Sequence, residues 1–329
     1  MSRVLLTGAN GFLGRHAAEA LRQSGHTVRA LLRRESSGPW NEVATGDLTD
    51  AASLRHAVRD CDIVVHAAGR VSRDPSDAEM LHQVHVQGTH NLLEAVSQEG
   101  GLRFVHVSTS GTIAVSKEPR FVADESHEPA AGTIEKWPYY RSKLYAERLV
   151  LAAARGGLDA VVLNPSLLLG PGDFSGSSTG DVRAFLAGEV KIAPPGGLSY
   201  CDVRDVAQTI AACAGRERGA QGKRYLLTAC NEPVAEFLGR LSRIGGVPAP
   251  PIRVPARFGK WMAPAVRTLS GVGIDVGSDE QTADMASHTW YADASLAEAE
   301  LGWAPRDPNE TLHDTVSDLQ QRGVLWPRR

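Results

Sequence analysis

A doubly wound α/β fold, with a parallel sheet covered by helices on both faces and a smaller α+β lobe behind it, is what this 329-residue sequence predicts. Three observations carry that prediction. Short apolar, β-branched runs alternate with helical patterns through the first half of the chain, as strands buried on both faces require. A glycine-spaced turn, TGANGFLG, separates the first apolar run from the first helical segment. Glycines and polar residues recur just after the apolar runs, at the carboxyl ends of the strands, where such sheets bind ligands.

The elements follow in order. VLL at 4–6 reads as a buried strand and 12–24 as a helix; TVRALL at 27–32 is the second strand, and 42–44 the third, before Gly46, Asp47 and Leu48. A helix is expected at 50–59, a strand in DIVVHAA at 62–68, a long helix at 78–97, a fifth strand in RFVHVS at 103–108, a helix from Tyr139 and a sixth strand in DAVVLNP at 159–165. Beyond Pro165 the pattern loosens. The Gly-, Ser- and Pro-rich stretch 170–180 reads as a loop. Helices are expected in AFLAGEV, 202–214 and 234–244, a strand at 223–228 and a closing helix at 309–321. The chain thus divides into a dinucleotide-binding domain at 1–165, which also receives part of 200–230, and a mainly substrate-binding lobe at 166–329.

Composition narrows the function. With 42% hydrophobic and 22% charged residues, a net charge of −3 and no basic block, the chain does not offer a nucleic-acid surface. Cys61, Cys201, Cys213 and Cys230 are scattered without a C-x-x-C pair, so buried thiols are expected and neither a disulfide frame nor a metal site. The chain opens directly into structure, and no apolar run would span a bilayer, so a soluble cytoplasmic protein is expected.

The turn TGANGFLG places Gly8, Gly11 and Gly14 between a strand and a helix. Gly8 permits a tight turn, Gly11 lets backbone N–H groups approach a pyrophosphate, and Gly14 lets the helix pack closely; Asn10, Phe12 and Leu13 complete the loop. The second strand ends Leu32-Arg33-Arg34-Glu35. A guanidinium donates two parallel hydrogen bonds to a phosphate, so Arg33 favours NADP(H), while Glu35 keeps NAD(H) open. Asp47 and Leu48 belong near the adenine.

These residues resemble the extended short-chain dehydrogenase/reductases, a Rossmann-type family that includes the NAD-dependent epimerases and dehydratases. The matching stretches are TGANGFLG, GDL, HAAG, VSTSG, YYRSK and NPSLLLGPGD, over about residues 3–204. Within the family, TVRALLRR and TSGT are similar to the dihydroflavonol 4-reductase-like and 3β-hydroxysteroid dehydrogenase-like branch. The resemblance implies cofactor contacts from Ala67, Ala68, Gly69, Pro165 and Ser166, and a homodimer formed through the long helix and the tyrosine helix.

It also gives a meaning to WPYYRSKLYAERL. Tyr139 and Lys143 are four residues apart, one helical turn, and so share a face. A free phenol has a pKa near ~10 and a neighbouring ammonium lowers it. The resemblance makes Tyr139 the proton donor to a carbonyl as hydride arrives, Lys143 its tuner and a ligand of the nicotinamide ribose, and Ser110 the hydrogen-bond donor to the same oxygen. Thr109 is expected to support the turn, and Thr112, Leu168 and Tyr200 to touch substrate, beneath an apolar cover from 254–270. Tyr140, Tyr145 and His66 are expected to be structural. So is His85, which stands where many relatives carry asparagine. The loop with Asp124, Glu125 and His127 is expected to be solvated. The function expected is NADP(H)-dependent reduction of a ketone or aldehyde with a hydrophobic body. The alternatives are an NAD-dependent nucleotide-sugar epimerase, for whose diphosphate Arg183, Lys191 and Arg204 are available, a 3β-hydroxysteroid-type dehydrogenase, or a nucleotide-sensing regulator on the same frame.

Overall fold

The structure is a computed structural model that describes residues 1–215, 218–271 and 279–324. Seven parallel strands form the central sheet, in the order Arg224–Leu227, Asp159–Pro165, Arg103–Val107, Ile63–His66, Arg3–Thr7, Thr27–Leu32, Glu42–Thr45. Alternate side chains leave each strand on opposite faces. Thus Val4 and Leu6 join one buried cluster with helices Phe12–Gln23 and Val203–Ala214, while Leu5 joins the opposite cluster with helices Ala51–Ala57, Gly88–Glu99 and Pro138–Arg155. Burial on both faces is why these strands read as continuous apolar runs.

The first strand lies between Thr27–Leu32 and Ile63–His66, so the chain winds outward in both directions from it. The crevice at the carboxyl ends of these strands is where such a sheet receives a ligand. The long helix expected at 78–97 is present but interrupted. Residues Gln83–Gln87 form a π-helical turn between Ala78–His82 and Gly88–Glu99. Such bulges concentrate at functional sites, and this one carries His85.

The second lobe holds a three-stranded sheet of Cys230–Pro233, Gly197–Asp202 and Leu167–Leu169, with helices Gly180–Leu186, Val234–Gly245 and Pro308–Gln321. Phe185, Phe237 and Leu312 build its core. The chain crosses between lobes more than once. Helix Val203–Ala214 packs on the first helix, and Arg224–Leu227 extends the main sheet. A further return was not legible: Tyr291–Ala292 pairs with Val122–Ala123, and Ala297, Leu301 and Trp303 enter the main core.

Candidate active site

The glycine loop is shaped by contacts that exclude any larger residue. Gly8 has φ 74°, and a Cβ there would lie 2.7 Å from the carbonyl of Ala67 and from Cα of Ala68. A Cβ on Gly14 would lie 2.0 Å from the Gly8 oxygen, so the helix begins pressed against the turn. Gly11 donates its N–H to Gly8 O at 2.9 Å and caps the helix with no side chain. The first-turn N–H groups therefore face the crevice without a protein acceptor from the cap, and no acidic residue occupies that turn. A helix start of this kind suits a pyrophosphate.

Opposite the loop, Thr7 Oγ1 accepts the Ala68 N–H at 3.2 Å and lies 2.7 Å from His66 Nδ1. Thr89 Oγ1 donates to the His85 carbonyl and lies 2.9 Å from His66 Nε2. His66 is therefore a neutral imidazole with its proton on Nε2, and burial pushes its pKa down to about 3. This chain of bonds fixes the strand end at Ala67 and Ala68 beside Gly8. At the far end Leu32 is buried, Arg33 is exposed on the cleft wall, and Asn10 donates to Ser36 Oγ at 3.2 Å. The backbone N–H and hydroxyl of Thr49 hold the Asp47 carboxyl below its usual pKa.

Tyr139 and Lys143 lie on helix Pro138–Arg155, whose N1 proline suits a helix start. Lys143 is buried and donates from Nζ to Val107 O at 2.7 Å. Burial pushes its pKa down to about 8, against an upward pull from Glu147. The Tyr139 ring lies edge-on to Tyr140 and His85, with centroids 5.0 and 5.7 Å away. Its phenol is the reverse of the expected lowered acid: burial, and then Tyr140, raise it. Desolvation of the phenolate outweighs the ammonium, which is turned to a backbone carbonyl. Ser110 opens the buried turn Ser110–Thr112, and Thr109 caps that turn by accepting the Gly111 N–H, the support expected of it. Ser166 Oγ is buried with no protein partner among the described residues. The polar atom left open there and the bare glycine loop both fit a nicotinamide dinucleotide.

One cleft of about 2210 Å³ joins these parts. It is lined by Gly8, Asn10, Gly11, Phe12, Leu13, Gly14, Arg33, Asp47, Leu48, Ala67, Ala68, Gly69, Ser110, Tyr139, Lys143, Pro165 and Ser166, the full set expected on the cofactor side, and by Leu168. Two expected substrate residues are elsewhere. Thr112 is fully buried behind the site, and its hydroxyl donates within the lattice of Thr109 O and Glu147 Oε2. Tyr200 is fully buried in the core of the second lobe, against Phe237. Leu198 and Ser199 from the same strand reach the cleft instead. Glu125 is not simply solvated, since its carboxylate accepts the Leu226 N–H at 2.7 Å.

Sequence reasoning missed three features. Glu147 is 1% exposed and gathers Ser108 at 2.5 Å, Asn164 at 2.8 Å and Thr112 at 3.1 Å on Oε2, with Arg224 at 3.4 Å from Oε1. Its place one turn after Lys143 was the available signal. His85 accepts the backbone N–H of Arg70 on Nε2 at 3.0 Å, in keeping with a structural histidine, and what was missed is its second bond. Its Nδ1 therefore carries the proton and donates to Ser142 Oγ at 2.8 Å, and Ser142 donates to the Tyr139 carbonyl. Tyr140, expected only to pack, also lines the cleft.

Much of the cleft wall away from the glycine loop is apolar, with Val182, Leu198, Phe237, Met262, Met285 and Trp290, and Arg73, Asp181, Glu189 and Lys191 stand among them. Of the three cations suggested for a sugar diphosphate, Lys191 lines the cleft and Arg183 and Arg204 do not. Arg204 is held by Asp202 and Asp314, each at 2.7 Å. Arg183 does not line the cleft, and Lys191 is exposed and donates to Gly188 O at 2.5 Å.

This fold and site define a nicotinamide-dependent oxidoreductase of the extended short-chain type. The chain belongs to the NAD dependent epimerase/dehydratase family, whose pattern it matches over residues 4–227. A protein of Synechocystis sp. with the provisional name dihydroflavonol 4-reductase is 33% identical over 335 residues, covering 97% of this chain and 95% of its own. Sterol demethylase protein B of Methylococcus capsulatus is 28% identical over 330 residues, covering 98% and 99%. The crystal structure of gox2253 superposes with a TM-score of 0.86 at 28% identity, covering 99% of this chain and 100% of that one.

Proposed function

We propose that this protein is an NADP(H)-dependent reductase that converts a ketone or aldehyde with a bulky apolar body to the alcohol. The observation that carries the reading is the continuity of the cleft. The glycine loop, Ser110, Tyr139 and Lys143 share it with an apolar chamber, and its volume of about 2210 Å³ exceeds the range of about 300–1,000 Å³ usual for one small ligand. It therefore has room for a dinucleotide and a large second molecule. The cofactor supplies hydride when bound. Tyr139 donates a proton to the carbonyl oxygen, and Ser110 holds that oxygen by hydrogen bond. Lys143 returns positive charge to the site, and its ammonium turns from Val107 O toward the ribose. Arg33, with no carboxylate at Leu32, favours the 2′-phosphate of NADP(H). The names of the Synechocystis and Methylococcus relatives, for a flavonoid reductase and a sterol-processing protein, agree with a bulky apolar substrate. Two of the three cations suggested for a sugar diphosphate, Arg183 and Arg204, lie off the cleft wall, which weighs against that substrate. We place the protein in the cytoplasm as a homodimer.

Fluorescence titration with NADPH and NADH tests the cofactor, followed by a panel of apolar ketones and aldehydes. Each charge-assisted bond to a phosphate is worth about 1.5–3 kcal/mol, so Arg33→Ala should weaken NADPH about 10- to 100-fold and leave NADH nearly unchanged. Tight NAD retained through purification, or equal losses for both cofactors, defeats the assignment.

A further inference from the structure

We infer that the outer edge of the second lobe docks on an anionic lipid surface, with the mouth of the cleft turned toward the bilayer. Strands Ile192–Ala193 and Ile252–Arg253 pair so that Ile192 stands beside Ile252, and both side chains are exposed. The turn Ala256–Phe258 and the helix Gly259–Gly271 follow, bringing Phe258 at 47% and Trp261 at 61% exposure. Four of the ten large hydrophobic side chains exposed among the described residues are thus gathered on one strand pair and the helix start that follows it. Isolated exposed apolar residues are ordinary, whereas a cluster at a pocket mouth is not.

Charge identifies the occupant. Residues 252–271 contain Arg253, Arg257, Lys260 and Arg267 and no acidic residue, within a chain of net charge −3. Arg253 and Arg257 are exposed, and the Arg257 guanidinium lies 4.9 Å from the centre of the Phe258 ring. Arg243 and Arg253 line a notch with Arg240 and Glu236, and Arg240 is taken up by Glu232 at 3.0 Å. Arg267 is engaged by Glu280 at 3.3 Å and contributes less. Aromatic and aliphatic tips ringed by guanidinium groups match a bilayer interface, where the tips enter the headgroup boundary and the cations meet lipid phosphates. Attachment would be peripheral, since no described helix is long and apolar enough to cross a membrane. Ile192, Phe258 and Trp261 also line the cleft. The docked face would thus open the apolar chamber to molecules dissolved in lipid, a consequence that rests on the reductase reading.

Sedimentation of the full chain with vesicles tests the docking without any turnover assay, so its failure and that of the reductase reading are separable. Vesicles of phosphatidylcholine mixed with phosphatidylglycerol should carry the protein down, pure phosphatidylcholine much less, and added salt should release it. A variant with Ile252→Ser and Arg253→Glu changes no cleft-lining residue. It should bind the mixed vesicles at least fivefold more weakly, at about fivefold per cation lost, while its circular dichroism and thermal melt match wild type and report an intact fold. Equal sedimentation with both vesicle types, or wild-type binding by the variant, overturns the proposal. So does light scattering that shows the variant breaking up an oligomer, which would make the face a contact between copies of the chain.

Discussion

Replacing Lys143 by Met should make the cofactor-free protein more stable while abolishing turnover. Lys143 is 6% exposed, and burial pushes its pKa from 10.5 down to about 8. Between those values the unfolded chain binds more protons than the folded one, so stability rises with pH across that window. Below about pH 8 the full penalty of burying the ammonium is present. At 1.36 kcal/mol per unit, it amounts to about 3 kcal/mol at pH 7 and falls to about 1 kcal/mol at pH 10. Met removes this cost but also the bond to Val107 O, worth about 1 kcal/mol at any pH. The variant should therefore exceed wild type by about 2 kcal/mol at pH 7 and match it near pH 10. Urea unfolding of both proteins at a series of pH values measures this difference. A variant less stable than wild type at pH 7, or a difference that stays flat from pH 7 to 10, would refute the reasoning and imply an ammonium solvated in the folded protein.

Tyr139→Phe should bind NADPH as wild type does and lose about 10²- to 10⁴-fold in kcat, the usual share of a positioned acid, in a single-turnover assay with a reducible ketone. Glu147→Gln can satisfy Ser108, Thr112 and Asn164 with its oxygen but turns an N–H toward Arg224; the cost should be about 3 kcal/mol in urea unfolding, and less than about 1 kcal/mol would show that the carboxylate is not needed as a charge. His85→Phe keeps an aromatic ring but leaves the Arg70 N–H without its acceptor, so stability should fall by about 1–3 kcal/mol. If His85 also positions Tyr139, kcat should fall while the affinity for NADPH holds.

The glycine-loop end of the candidate site was legible because its geometry is local. The turn TGANGFLG carries its own explanation, since a Cβ at Gly8 or Gly14 would strike backbone. The strand periodicity then assigns every ligand-facing carboxyl end. The substrate half was not legible, because the periodicity of a strand does not say what covers each residue. Leu198 and Tyr200 leave their strand on the same face, yet Leu198 lines the cleft and Tyr200 is buried against Phe237. Glu147 was hidden for another reason. On the helix it reads as a surface glutamate, and its burial comes from partners 17 to 77 residues away in sequence. The π-turn around His85 likewise leaves no mark in a periodicity that continues on either side of it.

One physical cause links the raised phenol of Tyr139 to the depressed ammonium of Lys143. Both groups sit where water is excluded, so the phenol resists losing a proton and the lysine resists keeping one. A site dry enough to hold the phenol as a donor therefore tends to strip the charge from its partner. Glu147 opposes that loss: its interaction with Lys143 raises the lysine pKa. The four donors around its carboxylate belong to the strand end at Ser108, the turn at Thr112, the strand residue Asn164 and the edge strand at Arg224. The buried carboxylate thus ties together the elements that carry Ser110 and Lys143 while helping to keep the ammonium charged. An apolar residue at 147 would remove both effects together.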